Sequence, residues 1–421
     1  MDKPLEHVDA LKQFQTLENF GSSCDSELTF ELSPQDLKNV VYGACFFASG
    51  GGGPISMAEQ FLKEITGPVK YINPNQLAAG KMAVILADMG SPDAVAEGRG
   101  FTAPVNVYQT ISSYMKSQGK DIEYIMPIEL GAVNTLIPFY IAFKLGNSVP
   151  VINADPSGRA VPQLNETLLD VAGEAICPAA VASDTQTSNH KCAWSGGQYL
   201  SQMFFDLSAT ELEDQSRVVV SGPGYDQVGG LACYPIDGAQ LNSDIPANQN
   251  KLIQGSVGLS WFVGQLILSQ VSPSVLSECL AIIGTQNYQW MNGTITDIDN
   301  RTSGGFDVGK IVLSNGSDEL WVYYKNESLL AWNPTTKQPL AMGPDGISLM
   351  QSSGSGDTGL PVSTAGIAKG DQYTVWGFAI SEKMRNSSTV ALFQQNIDEI
   401  LAAFPEDKIT ISGYTPIEEL N

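Results

Sequence analysis

"MAVILAD" (82–88), "APVNVYQTISSYMKSQG" (103–119), "IEYIMPI" (122–128), "TLIPFYIAFKLG" (135–146) and "VPVIN" (149–153) follow one another along the chain and decide the fold. The first, third and fifth are short apolar runs of strand length, and the two between them carry apolar residues at helical spacing. Strand, helix, strand, helix, strand in that order gives parallel strands joined by right-handed crossovers. Ligands of such sheets sit beyond the carboxyl ends of the strands. Three polar segments stand there: "DMGSP" (88–92), "IELGAVN" (128–134) and "NADPSGRAVPQLNE" (153–166). Asp88, Glu129, Asn134, Asp155, Arg159 and Glu166 are therefore expected on one rim.

Upstream, "FFASGGGGP" (46–54) sets four glycines between an apolar run and a proline. The segment before it, "SPQDLKNVVYGACFFASG", begins as a helix should. Ser33 is suited to the N-cap, Pro34 to the first turn and Asp36 to the positive end of the dipole. Pro54 opens a second helix. A dinucleotide fingerprint needs a strand before its glycines, and a P-loop needs a Lys-Ser/Thr after them. Neither context is met, so no nucleotide or flavin is expected. What remains is a helix–glycine–helix corner in which Gly51, Gly52 and Gly53 offer backbone N–H groups to an anion or a polarised carbonyl.

Residues 1–32 carry no strong period and read as an arm. Residues 33–285 read as the α/β domain. Within it "SRVVVSGPG" (216–224) suggests a strand and turn, while "GSVGLSWFVGQLILSQ" and "SPSVLSECLAIIG" read as helices, the latter capped by Ser272. Near 286 the period changes: residues 290–330 alternate like strands around Ser-Gly-Gly and Asn-Gly turns. "QYTVWGFAI" (372–380) adds a strand, "SSGSGDTG" (352–359) a loop, and 389–404 a closing helix. The expected architecture is an α/β N-terminal domain with a parallel βαβαβ core, followed by a β-rich C-terminal domain over 286–421.

With 45 Asp and Glu against 22 Lys and Arg, the net charge is −23. Such a surface repels phosphate backbones and anionic membranes, so a small-molecule substrate is expected in place of nucleic acid or lipid. The N-terminus has no apolar signal region, and "LIPFYIAF" (136–143) is too short to span a bilayer. A cytoplasmic location is expected, with six scattered cysteines as reduced, mostly core thiols and the N-x-S/T sequons as chance matches. A homo-oligomer is left open. There are two histidines, His7 and His190, which excludes a three-histidine zinc site. His190 and Cys192 are near neighbours, but closeness in sequence makes no dyad.

Six segments now stand in order: "SGGGGP", "PIELGAVNTLIPFYIAFKLG", "NADPSGRAVPQL", "ACYPIDG", "GTITDIDNRTSGGFDVGK" and "NESL". Together they resemble the S-methyl-thiohydantoin desulfurase family, which is associated with hydantoinase/oxoprolinase proteins. The resemblance runs from about Ser33 to Ile380. It implies an α/β domain followed by a β-containing domain, and hydrolysis of an S-methyl-thiohydantoin to a hydantoin and methanethiol. In the family the third-strand motif is closer to D-A-D-G-x-G-R-A-x-P-E. Here Asn153, Pro156 and Gln163 depart from it, while Asp155, Gly158, Arg159 and Pro162 match.

Opening such a C=N centre needs an activated water, donors for developing negative charge and help for the leaving thiol. Glu129 or Asp155 can serve as the base. The amides of 50–53 with Asn134 can serve as oxyanion donors, and Arg159 can grip a substrate carboxylate. Asp88, Glu166 and Asn326 complete the expected binding residues. Cys45, in phase with Leu37 and Val41, is expected to be a core thiol. A divalent metal stays open, since no ligand spacing supports one. Two classes of function stand: a hydrolase of a small five-membered cyclic amide or thioamide, and a non-catalytic binding or accessory subunit of a hydantoinase/oxoprolinase-type enzyme.

Overall fold

The structure, a computed structural model, describes residues 30–89, 99–185, 191–303, 306–352 and 358–421. Most of the N-terminal arm, residues 90–92, His190 and most of the 352–359 loop lie outside the described residues.

Among the described residues ten strands belong to the first part of the chain: β1 (Phe30–Leu32), β2 (Val69–Ile72), β3 (Met82–Asp88), β4 (Ile122–Pro127), β5 (Val151–Ile152), β6 (Ala154–Asp155), β7 (Ala179–Ala182), β8 (Ser201–Phe204), β9 (Gly230–Asp237) and β10 (Ile253–Gln254). Eight of them form one sheet in the order β1-β2-β5-β4-β3-β9-β7-β8. The expected parallel core is present: β3 pairs with β4 and β4 with β5, all parallel, with helices Ala103–Ser117 and Leu136–Lys144 between them. The sheet is mixed, however, because β9 runs antiparallel to both β3 and β7. Residues 30–32 are not part of an arm, since β1 pairs with β2.

The Pro34–Phe47 helix starts as expected. The Ser33 hydroxyl accepts from the Asp36 N–H at 3.2 Å, and the Asp36 carboxylate accepts from the Ser33 N–H at 2.9 Å. This helix lies against the Ser256–Leu268 helix with almost no gap. A Cβ on Gly43 would sit 1.8 Å from the Ser260 carbonyl oxygen, and one on Gly264 would sit 1.7 Å from that of Asn39. Any side chain at either position would force the pair apart.

The second part of the chain is an antiparallel sheet of β11 (Asn287–Ser303), β12 (Phe306–Ser314), β13 (Glu319–Lys325), β14 (Glu327–Asn333), β15 (Gln338–Met342), β16 (Gly346–Gln351), β17 (Leu360–Pro361) and β18 (Gln372–Phe378). Its order is β15-β14-β13-β12-β11-β18-β16-β17. The Ser387–Ala403 helix buries Phe393, Ile397 and Ile400 in the same core as Leu329, Leu330 and Trp332.

The glycine corner is where the two sheets are stitched together. Phe46 stacks on Phe378 with ring centroids 5.1 Å apart, and Phe47 meets the same ring edge-on at 5.4 Å. The Ser328 N–H donates to the Ser49 carbonyl at 2.7 Å, and the Thr364 N–H to that of Gly50 at 2.9 Å.

Candidate functional site

The carboxyl ends of β3 and β4 and the glycine corner open on a cavity of about 320 Å³. Gly50 to Gly53, Asp88, Glu129 and Asn134 line it from the first sheet, and Asp307, Asn326, Glu327 and Ser363 to Ala365 from the second. Seven of the expected residues therefore meet at one place: Gly51, Gly52, Gly53, Asp88, Glu129, Asn134 and Asn326.

Glu129 is 7% exposed and held at both oxygens. The Asn134 amide donates to Oε1 at 2.7 Å and the Val161 N–H donates to Oε2 at 2.9 Å. Asn134 is itself fixed by the Asp88 N–H, which donates to its Oδ1 at 3.2 Å. Burial pushes the Glu129 carboxyl up to about 7 against the pull of those two donors, with the charges of Asp155 and Glu213 adding to the rise.

Glu327 faces it from the second sheet, 4% exposed. Among the described residues its Oε2 has no hydrogen-bond partner. Burial, and next the nearby Glu129 charge, raise its carboxyl well above the usual range, and the Arg159 cation only partly offsets them. Gly51 is what admits this side chain: a Cβ there would sit 2.1 Å from Glu327 Oε1. Two buried carboxyls on one cavity resist ionising together, so one of them holds a proton near neutral pH.

Gly50, Gly52 and Gly53 have φ of 93, 65 and 85°, a backbone path that side chains rarely follow. The Gly52 carbonyl is turned to the 131–135 turn, where it accepts from the N–H groups of Val133 at 3.0 Å and Asn134 at 3.3 Å. The trans peptide sends the Gly53 N–H the opposite way, and no hydrogen bond among the described residues uses it. Gly53 lines the cavity, and among the described residues its N–H is unused.

Three expected residues do not line the cavity. Arg159 is fully buried. Its guanidinium donates to the carbonyls of Ala160 at 2.9 Å, Pro344 at 3.0 Å, Asp345 at 2.7 Å and Ser328 at 3.0 Å, and it lies over the Phe393 ring at 5.2 Å. It ties the 153–166 loop to the second sheet and cannot grip a substrate. Asp155 is equally buried. Its Oδ1 accepts from the N–H groups of Ser157 at 2.7 Å and Gly158 at 2.6 Å, which makes it the anchor of the Pro-Ser-Gly turn. Glu166 accepts from the Gln163 N–H at 3.2 Å and from the Asn396 amide, behind the cavity wall. Asn326 does line the cavity, but its Oδ1 accepts from the Asp307 N–H at 3.1 Å and its φ of 58° shapes the link between β13 and β14.

The cavity's arginine is Arg217. It stands on the Ala209–Val220 helix, which corrects the strand expected at 216–224. The run of β-branched residues had suggested a strand. The Ser208–Glu211 capping box and the i,i+4 spacing of Glu213 and Arg217 were the signals for a helix. Glu213, Ser216, Ser363 and Thr364 also line the cavity without having been expected there. Cys45 is buried and its thiol is pushed up to about 12, as suits a core thiol.

Two of the departures from the family motif sort by position. Asn153 lies outside the lining, its amide bonded to Asn73 at 3.0 Å and its carbonyl to the Gly258 N–H at 3.0 Å. Gln163 lies within it.

Fold and cavity together define a two-domain protein, α/β then antiparallel β, with paired buried carboxyls at the domain junction. The family described as S-Me-THD-like matches in both halves, its N-terminal domain over residues 35–190 and its C-terminal domain over 208–395. The chain belongs to the S-methyl-thiohydantoin desulfurase-like family. A Northeast Structural Genomics Consortium crystal structure of a protein from Chromobacterium violaceum is similar in fold, with a TM-score of 0.75 at 24% identity, over 92% of this chain and all of that one. No curated protein matches. Among the described residues no helix is long and apolar enough to cross a membrane, and no cluster of three or more His, Cys, Asp or Glu is placed to hold a metal.

Proposed function

We propose that the protein is a hydrolase of a small five-membered cyclic thioamide, of the S-methyl-thiohydantoin type. The observation that carries this is the pairing of Glu129 with Glu327 across the glycine corner. Ionised Glu129 takes a proton from water as its oxygen attacks the ring carbon that bears the S-methyl group. The C=N π electrons move to the ring nitrogen, where the Gly53 N–H offers a hydrogen bond to the developing charge. Protonated Glu327 then delivers its proton to the departing methanethiolate as the C–S bond breaks. As the nitrogen electron pair re-forms the C=N bond, the ring is left as its hydroxy-imine tautomer, whose O–H proton shifts to the ring nitrogen to give the hydantoin. Methanethiol is the other product, and the proton taken up by Glu129 returns the pair to its starting charge by transfer to Glu327.

Thiol release from S-methyl-thiohydantoins, followed with a chromogenic disulfide, tests this. Wild-type protein is expected to turn over and Glu129→Gln to lose turnover while still binding the hydantoin product. No thiol from any member of a substrate panel, with the product still bound, would leave the binding or accessory role. Gln163, amide where the family motif has an acid, is the observation that favours that second role.

A further inference from the structure

Among the described residues five acidic side chains line the cavity, Asp88, Glu129, Glu213, Asp307 and Glu327, against one cation, Arg217. That cation is already committed. Its Nε and Nη2 donate to Glu213 Oε1 at 3.2 and 2.7 Å, and its face covers the Phe306 ring at 4.9 Å. With Glu213 paired to Arg217 and one proton held between Glu129 and Glu327, the described lining still carries a net negative charge, and the unpartnered, buried Glu327 Oε2 calls for a polar group on the ligand.

Asp307 has the place to read charge. Its backbone is pinned to Asn326 by two hydrogen bonds, its N–H donating to Oδ1 at 3.1 Å and its carbonyl accepting from the Asn326 N–H at 2.8 Å. Its carboxylate is exposed, and among the described residues it makes no hydrogen bond or ion pair. A second cavity of about 180 Å³ shares Asp307, Thr364 and Ala365 with the first. Ile298, Ile311 and Ile367 offer it an apolar wall. The arginine there, Arg301, is occupied by Asp299, Glu406 and the Ala403 carbonyl. An aliphatic stem that ends in a cation would pass from one cavity towards the other beside Asp307.

We infer that the substrate is a ring bearing a positively charged substituent, an alkylammonium or guanidinium, and that Asp307 is the residue that selects it. This rests on the cyclic-thioamide reading of the same cavity. It also reverses the carboxylate-bearing substrate that an anchoring Arg159 would have implied.

The test is calorimetric titration of the full chain with three hydantoins, bearing an aminobutyl, a butyl or a carboxypropyl chain. The aminobutyl compound is expected to bind about tenfold or more tighter than the carboxypropyl one. Asp307→Asn should bring the two together without changing the affinity for the butyl compound. Equal binding of all three, or tightest binding of the carboxypropyl compound, overturns the charge selection and leaves the hydrolase proposal standing. Discrimination that survives in Asp307→Asn overturns the role of Asp307. No binding of any hydantoin at millimolar concentration sinks both proposals together.

Discussion

Two loops leave the carboxyl ends of neighbouring parallel strands, and the fold uses them in opposite ways. The 128–134 turn after β4 delivers Glu129 and Asn134 to the cavity. The 153–166 loop after β5 buries Asp155 in its own turn, Arg159 against the second sheet and Glu166 against the Ser387–Ala403 helix, and leaves only Val161 to Leu164 on the lining. Both loops obey the rule that polar residues gather beyond parallel strands. What separates them is the second domain, which covers one loop and faces the other. A charged residue at a strand end is thus a candidate for chemistry only if nothing later in the chain packs on it.

The sharpest way to break this comparison is to remove one charge from each loop. Glu129→Gln should lower turnover of a thiohydantoin substrate by roughly 10²–10⁴-fold, the usual contribution of a positioned base. Its stability should fall only modestly, because the new amide NH2 must face either the Asn134 amide or the Val161 N–H, while the protein stays folded. A variant that unfolds instead would move Glu129 to the structural class of the other loop.

Arg159→Met should do the reverse. Four carbonyls lose their donor, and Glu327, Glu166 and Asp345 lose the cation among them, for a cost on the order of 3–5 kcal/mol in denaturant unfolding. Arg217→Met makes the control. Its side chain is 39% exposed, so stability should change by only about 0.5 kcal/mol while ligand affinity changes. Equal stability losses in the two would erase the distinction between tie and lining.

Gly51→Ala probes the seam itself. The added Cβ meets Glu327 Oε1 at 2.1 Å, so the carboxyl must swing aside or the corner must shift, for about 1–3 kcal/mol. Turnover should suffer more than stability, since Glu327 is the group displaced. Unchanged turnover would take Glu327 out of the proposed mechanism.

The parallel core was legible because its strands are uninterrupted apolar runs and its helices have clear periods. The start of the Pro34–Phe47 helix was legible from Ser33, Pro34 and Asp36 alone. Both are local signals. The cavity was half legible for the same reason: residues contributed by strand ends and by the glycine corner could be read from the order of elements. Ser363 and Thr364 could not, because they reach the cavity only through the docking of a second sheet. Asn326 and Glu327 stand together in the "NESL" segment and were weighed as a pair, with Asn326 alone expected to bind, although it is Glu327 that turns a carboxyl inward. Arg159 was misread because a sequence gives no means of seeing Pro344, Asp345 and Ser328 close over it.

The smallest effect expected is also the most specific to the covered loop. Glu166 is buried, and both of its hydrogen-bond partners, Gln163 N–H and the Asn396 amide, donate to it. Those donors, with the charges of Arg159 and Lys325, favour the ionised form; burial opposes it and prevails, raising the carboxyl to about 8. Glutamate in an unfolded chain titrates near 4.3. Between those two values the folded state holds a proton that the unfolded state has lost, so stability must fall as pH rises through this window. One such group contributes a slope of about 1.4 kcal/mol per pH unit. Glu129, raised to about 7, contributes in the same direction over the lower part of the window. Glu327, raised well above the usual carboxylate range, adds to the slope as well. Glu166→Gln removes one of these contributions. Its absolute stability will be lower, because the new amide brings donors to where donors already point, but its slope between pH 7 and 8 should flatten. Urea unfolding at half-unit steps across that interval reads the slope separately from the level. If the slope is unchanged, Glu166 is ionised throughout, and the donors around it outweigh its burial.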